Sequence, residues 1–180
     1  MGIINLTPDS FSDGGKYNTE KKSYMRAKKL IEEGCDLLDI GGESTRPGSK
    51  IINENKEWNR IAKPLKMISK LNKFISVDTR KHAVMENSYK FKVNLINDIS
   101  GLEHDKKTLP FLKKTNIPFV IHHIQGTPQN MQKNPKYKNV VLDVYDYFEN
   151  KLSKVRSLGI NHNNIILDPG IGFGKNTMHN

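Results

Sequence analysis

Six short apolar runs, each closing on a polar residue or glycine, govern what this chain can fold into. They are Gly2-Ile3-Ile4-Asn5, Leu37-Leu38-Asp39-Ile40-Gly41, Phe74-Ile75-Ser76-Val77-Asp78, Asn94-Leu95-Ile96-Asn97-Asp98, Phe119-Val120-Ile121-His122 and Ile165-Ile166-Leu167-Asp168. Runs this short, bounded by turn residues, suit strands buried on both faces of a parallel sheet. Helical patterns fill the gaps. Ala27, Leu30 and Ile31 share a face, and Gly34 is placed to cap that helix. Trp58, Ile61, Leu65 and Ile68 keep a three-and-four spacing, with Pro64 expected to kink or break it. Leu109 and Leu112 mark a short helix that Thr108 could cap and Pro110 begin. Val141, Val144, Tyr145, Phe148, Leu152, Val155 and Leu158 form the longest stripe, read as core and ended by Gly159.

Strand–helix alternation implies a parallel sheet with right-handed crossovers. A doubly wound sheet and a (β/α)8 barrel both satisfy it. Asn5, Asp78, Asn97, His122 and Asp168 close different strands at their C-terminal ends. A barrel gathers all such ends on one rim, whereas a doubly wound sheet gathers only those beside its switch point. The fold expected is therefore α/β, an incomplete (β/α)8 TIM barrel with the first six strands present. A complete barrel needs roughly 250 residues. The expectation is one domain over residues 1–180, cut short at its C-terminus and slightly at its N-terminus.

Composition narrows the partners. No run of roughly 18 apolar residues exists, so no membrane span is expected. Lys16, Lys21 and Lys22 follow the first apolar run instead of preceding it, which is not the order of a secretory leader. The single cysteine, Cys35, excludes an internal disulfide and a cysteine-based zinc site, and a reducing cytoplasm fits best. Lysine and arginine outnumber aspartate and glutamate 29 to 19, a net charge of +10. The lysines are scattered (Lys21, Lys63, Lys92, Lys106, Lys136, Lys154) and read as solvated faces. No nucleic-acid-binding motif accompanies them, so neither nucleic acid nor membrane is an expected partner.

The segment Gly2-Ile3-Ile4-Asn5-Leu6-Thr7-Pro8-Asp9-Ser10-Phe11-Ser12-Asp13-Gly14-Gly15 resembles the first signature of the dihydropteroate synthase family, and Asp39-Ile40-Gly41-Gly42-Glu43-Ser44-Thr45-Arg46-Pro47-Gly48 resembles the second. Ser76-Val77-Asp78-Thr79, Ile96-Asn97-Asp98-Ile99, His123-Ile124-Gln125-Gly126-Thr127-Pro128 and Asp168-Pro169-Gly170-Ile171-Gly172-Phe173-Gly174-Lys175 follow in family order. The resemblance implies condensation of 4-aminobenzoate with a dihydropterin methyl diphosphate, giving dihydropteroate and diphosphate on the folate route. It also implies Mg2+, sulfonamides as inhibitors, and a homodimer for the full-length protein.

By resemblance, Asp78, Asn97 and Asp168 hold the pterin, with His122, Gly172 and Phe173 beside it. A pterin's pyrimidine edge presents a ring N–H next to an exocyclic NH2, which a carboxylate accepts strongly and an asparagine amide complements. Asn5 matches the Mg2+ residue, and one amide oxygen suits a hard cation that keeps its waters. Thr45 and Arg46 match positions near the diphosphate and aminobenzoate, where a hydroxyl and a guanidinium suit anions. Phe11 and Pro47 match the apolar walls of the aminobenzoate pocket. Asp13 and Arg46 are the residues expected to act in catalysis. Gly170, Gly172 and Gly174 are expected to let backbone approach the pterin.

His122 departs from the family, which usually has methionine there. Gly174-Lys175 fails as a P-loop, because Pro169 and Asn176 stand where glycine and a hydroxyl residue are required. A lysine motif and an Arg-x-His motif are expected beyond residue 180. The competing reading is a non-catalytic pterin-binding or interaction protein derived from the same barrel. A methyltetrahydrofolate-binding methyltransferase domain would lack the amino-terminal signature present here.

Overall fold

The computed structural model describes residues 1–7 and 19–180. Among them, six strands alternate with five α-helices: β1 Gly2–Asn5, α1 Thr19–Glu32, β2 Leu37–Gly41, α2 Glu54–Ile68, β3 Phe74–Asp78, α3 His82–Tyr89, β4 Leu95–Asp98, α4 Thr108–Thr115, β5 Phe119–His122, α5 Val140–Ser157 and β6 Ile165–Asp168. Every apolar run is a strand. The strands lie in the hydrogen-bonded order β1-β2-β3-β4-β5-β6, and the pairs β1–β2, β2–β3 and β5–β6 are parallel. This is the connectivity of part of a (β/α)8 barrel, with each neighbour reached through a helical crossover.

Contacts divide the chain into two units, residues 1–44 with 51–96, and residues 45–50 with 97–180. In the first, Ile4, Leu38, Ile40, Ile75 and Val77 of the strands are buried with Ala27 of α1, Ile61 and Leu65 of α2 and Met85 of α3. In the second, Phe119 and Ile121 of β5 are buried with Leu112 of α4 and Leu152 and Val155 of α5. Each fully buried Val, Leu, Ile, Phe or Met side chain among them is worth about 1.5–3 kcal/mol. The outer strands are less covered: Ile3 on β1 and Ile166 and Leu167 on β6 are exposed.

Local chemistry ends the helices as the sequence leads one to expect. After α1, the Gly34 N–H bonds Ile31 O and the Cys35 N–H bonds Leu30 O, the paired closure of a glycine-terminated helix. Gly159 and Ile160 repeat it on Arg156 O and Val155 O.

Three expectations need correction. Pro64 does not break α2, which runs on to Ile68. Proline forfeits one helical hydrogen bond, but Ile61, Leu65 and Ile68 around it are fully buried and hold the helix in place. Thr108 does not cap α4. It is the first helical residue, Lys107 is at the cap without a side-chain bond, and Asp105 accepts the Lys107 N–H at 3.0 Å. The α5 stripe is core only in part. Leu152 and Val155 are buried, whereas Val141, Tyr145 and Leu158 at its ends and flank are exposed. The sequence also gave no sign of α3, whose buried Val84, Met85 and Ser88 make no long amphipathic stripe.

Candidate functional site

In the first unit, parallel register aligns Asn5 of β1 with Gly41 of β2, and Gly41 with Asp78 of β3. A side chain on Gly41 would lie 3.5 Å from Asp78 Oδ2 and 3.7 Å from Asn5 Oδ1. Glycine at the centre therefore leaves two oxygen-bearing side chains facing one gap at the strand ends. Asp78 does not cap α3, whose cap residue is Lys81. Just past these ends lies a buried ion cluster of Glu43, Glu57, Arg80 and Lys81. Burial alone would raise the Glu43 carboxyl, but the Ile52 N–H, Lys81 and Arg80 outweigh it and hold the group below the ordinary carboxylate value. A separate cavity of about 670 Å³ lies at the opposite strand ends, lined in part by Asn72, Phe74 and Lys90, and contains none of the expected site residues.

In the second unit, Asn97 stands half-buried near the end of β4, followed by fully buried Asp98. Asp98 Oδ1 accepts the Ser100 N–H at 2.8 Å and its hydroxyl at 2.6 Å, fixing the turn that leaves the strand. His122 and Asp168 are register partners at the ends of β5 and β6. Asp168 Oδ1 accepts the Gly170 N–H at 2.8 Å. A carboxylate has acceptor capacity for about four bonds, so this turn bond does not exhaust it. Phe173 meets the His122 ring edge-on, with centroids 4.5 Å apart. The His122 ring is buried, and its Nδ1 has no hydrogen-bond partner among the described residues. Burial pushes its pKa down, Asp168 opposes that and Lys175 reinforces it.

The loop after β6 is pinned to the end of β5. Lys175, itself buried, lies 2.8 Å from His123 Nδ1 and donates to Gly170 O at 3.1 Å and Phe173 O at 3.2 Å. Burial depresses the Lys175 amine, with Asp168 working against the shift. Burial, helped by Lys175 and His122, brings His123 to about 4. From α5, Tyr147 packs edge-on against His123 and donates to His122 O at 3.1 Å. Lys151 donates to Gly101 O at 2.8 Å and pairs with Glu103. Burial raises the Tyr147 hydroxyl far above its usual range, and Glu103 and Asp98 add to the effect.

These contacts correct the reading of the three glycines. Gly170 has φ +69°, and a Cβ there would come within 2.0 Å of His123 O. One at Gly174 would crowd the Gln125 backbone at 2.7 Å. Both approach the protein's own chain. Only Gly172 of the three faces open space, with nothing within 4 Å. The default reading of His122 as a satisfied histidine also fails at Nδ1. Buried Lys81, Lys151 and Lys175 went unread because nothing in a lysine's local sequence marks it as buried; the scattered lysines named above are all exposed.

Thr45 is half-buried, while Arg46 and Pro47 are exposed. Their segment is stitched down by the Gly48 N–H to Pro128 O at 2.9 Å and by Gln129 Nε2 to Ser49 O at 3.2 Å. Phe11 and Asp13 lie outside the described residues. Among the described residues, no cluster of three or more histidine, cysteine, aspartate or glutamate side chains is placed to hold a metal.

A family model described as pterin binding enzyme matches residues 1–180. The chain is 40% identical over 181 residues to the dihydropteroate synthase of Haemophilus influenzae, covering all of this chain and 66% of that protein. A crystal structure of Yersinia pestis dihydropteroate synthase with a sulfonamide drug complex is 40% identical with a TM-score of 0.92, covering all of this chain and 66% of that one. A Xanthomonas albilineans dihydropteroate synthase with 4-aminobenzoic acid is 36% identical with a TM-score of 0.91, covering all of this chain and 64% of that one. The chain thus spans just under two thirds of the length of these relatives.

Proposed function

The chain belongs to the family of pterin binding enzymes, and from that premise we propose that the protein is a dihydropteroate synthase, with residues 1–180 as its pterin-binding domain. The single observation that supports this most is the end of β6: an aspartate in register with His122, beside Phe173, on a loop clamped by Lys175. Asp168 and Asn97 receive the donors of the pyrimidine edge, and Asp78 is the second pterin acid. His122, Phe173 and Gly172 line the ring. Buried surroundings strengthen such charge-assisted bonds and orient the ring.

The reaction breaks the bond between the pterin methylene carbon and the diphosphate oxygen. Diphosphate leaves with the electron pair, and the resulting cation spreads into the pterin ring. The aminobenzoate nitrogen then forms the new bond to the methylene and loses a proton. The chain's share is positioning and electrostatics. Thr45 and Arg46 hold anionic groups, Phe11 and Pro47 wall the aminobenzoate, and Asp13 acts from the first loop. The oxygens of Asn5 and Asp78 around Gly41 suit a hard cation. Asn5 would hold Mg2+, which when bound neutralises charge on the leaving diphosphate. No helix among the described residues is long and apolar enough to cross a membrane. The reading places the protein in the cytoplasm, as a homodimer.

The non-catalytic alternative is not favoured, since relatives at 40% identity are synthases. The test is direct. The whole protein, supplied with the dihydropterin methyl diphosphate, 4-aminobenzoate and Mg2+, is expected to release diphosphate and dihydropteroate in equal amounts. Pterin binding without product would support the alternative.

A further inference from the structure

Glu43 sits two residues past the end of β2, where the Thr45-Arg46 segment begins, and its carboxylate is engaged on three sides. Oε1 accepts the Ile52 N–H at 2.9 Å. Oε2 accepts the Arg80 Nε–H at 3.0 Å and lies 3.0 Å from Lys81 Nζ. Ile52 is at the far end of the segment that Glu43 opens, so one carboxylate joins both ends of residues 44–51. Arg80 and Lys81 follow Asp78 by two and three residues, so the same group ties this neck to the outgoing end of β3. α2 completes the anchor. Its fully buried Glu57 pairs with Lys81, and its Arg60 donates to Gly42 O at 2.7 Å.

Two carboxylates and two cations balance in charge and are nearly excluded from water. Such a cluster is costly to desolvate and returns little net stability compared with apolar packing. Its placement at the neck of a loop points to a geometric task. From this we infer that Glu43 is a positioning residue. By closing the neck of residues 44–51, it reduces the conformational freedom that Thr45 and Arg46 lose when they order against the substrate's anionic groups. Glu43 itself touches no substrate. The inference rests on the synthase reading for its kinetic consequence but not for the closure of the neck.

Two variants of the whole protein test it. Glu43→Gln keeps the size but removes the charge that holds Arg80 and Lys81, so the side chain that accepts the Ile52 N–H loses its anchor and the neck is no longer held. Glu43→Asp keeps the charge and shortens the reach. For Glu43→Gln, kcat/KM for aminobenzoate is expected to fall about tenfold or more, as misplacement of a substrate-holding group does. The dihydropterin Kd should stay within about twofold. Glu43→Asp should fall between the two. Trypsin supplies a readout independent of activity. Arg46 is followed by Pro47 and resists cleavage, while the exposed Lys50-Ile51 bond does not. Cleavage after Lys50 should quicken selectively in Glu43→Gln.

Unchanged aminobenzoate kinetics with unchanged Lys50 cleavage would overturn the inference. So would equal losses for pterin and aminobenzoate with cleavage rising everywhere, which would mark a merely structural role. If the unsubstituted protein makes no dihydropteroate, the synthase reading falls, and Lys50 cleavage still decides whether Glu43 closes the neck.

Discussion

Replacing Asp168 by asparagine removes a charge while barely altering shape, so its effect isolates the electrostatic part of pterin recognition. Asp168 Oδ1 already accepts the Gly170 N–H at 2.8 Å. An amide oxygen keeps that bond, at about 1 kcal/mol instead of the 1.5–3 kcal/mol of a charged acceptor. The fold should therefore lose only about 1 kcal/mol. With the amide oxygen so placed, its NH2 replaces Oδ2 and confronts the donor edge of the pterin. Losing the charged acceptor and opposing donor to donor should cost about 2–4 kcal/mol of binding, a Kd weaker by roughly 30- to 700-fold. Calorimetric titration of the whole protein with a dihydropterin measures the loss, and a parallel melting curve checks the small cost to the fold. An affinity within about threefold of the unsubstituted protein would refute the reasoning and take Asp168 out of the site.

Three further outcomes follow from the same geometry. Gly170→Ala should destabilise the protein by about 2–4 kcal/mol, because φ +69° is strained for alanine and its methyl would meet the His123 carbonyl; an unchanged urea midpoint would show that the loop yields freely. His122 and His123 are held below their ordinary value of 6.5, His123 at about 4, so the unfolded chain binds more protons than the folded one between those limits. Their contribution to stability should be complete above about pH 6.5 and fall as pH drops towards about 4, and urea titrations showing no loss over that window would contradict it. Arg46→Ala should lower turnover and raise the aminobenzoate KM with little change in pterin Kd; equal losses in both would contradict its assignment.

The strands were legible because buried parallel strands carry the plainest pattern a chain can show, short, mostly apolar runs of four or five residues that close on a polar residue or glycine. The sequence also placed Asn5, Asp78, Asn97, His122 and Asp168 at strand ends, but the register that sets Asn5 and Asp78 on either side of Gly41, and His122 opposite Asp168, came only with the structure. What escaped the sequence depends on distant neighbours. Nothing local marks Lys175 as buried until the loop after β6 folds back on His123, and Gly170 reads as a ligand-facing glycine until that carbonyl arrives beside it. Pro64 reads as a breaker because local cost is visible and the burial of Ile61, Leu65 and Ile68 is not. The Glu43 cluster joins Glu43 to Arg80, 37 residues on in sequence, and to its neighbour Lys81, and no local periodicity marks it.

The pterin edge itself is the most direct thing to look for. A crystal structure of the whole protein with a dihydropterin ligand should show the pyrimidine edge at hydrogen-bond distance, about 3 Å, from the Asp168 carboxylate and the Asn97 amide, with Phe173 and His122 against the ring. A ligand seated elsewhere, with Asp168 still bonded only to Gly170, would contradict the assignment of these strand ends as the pterin site.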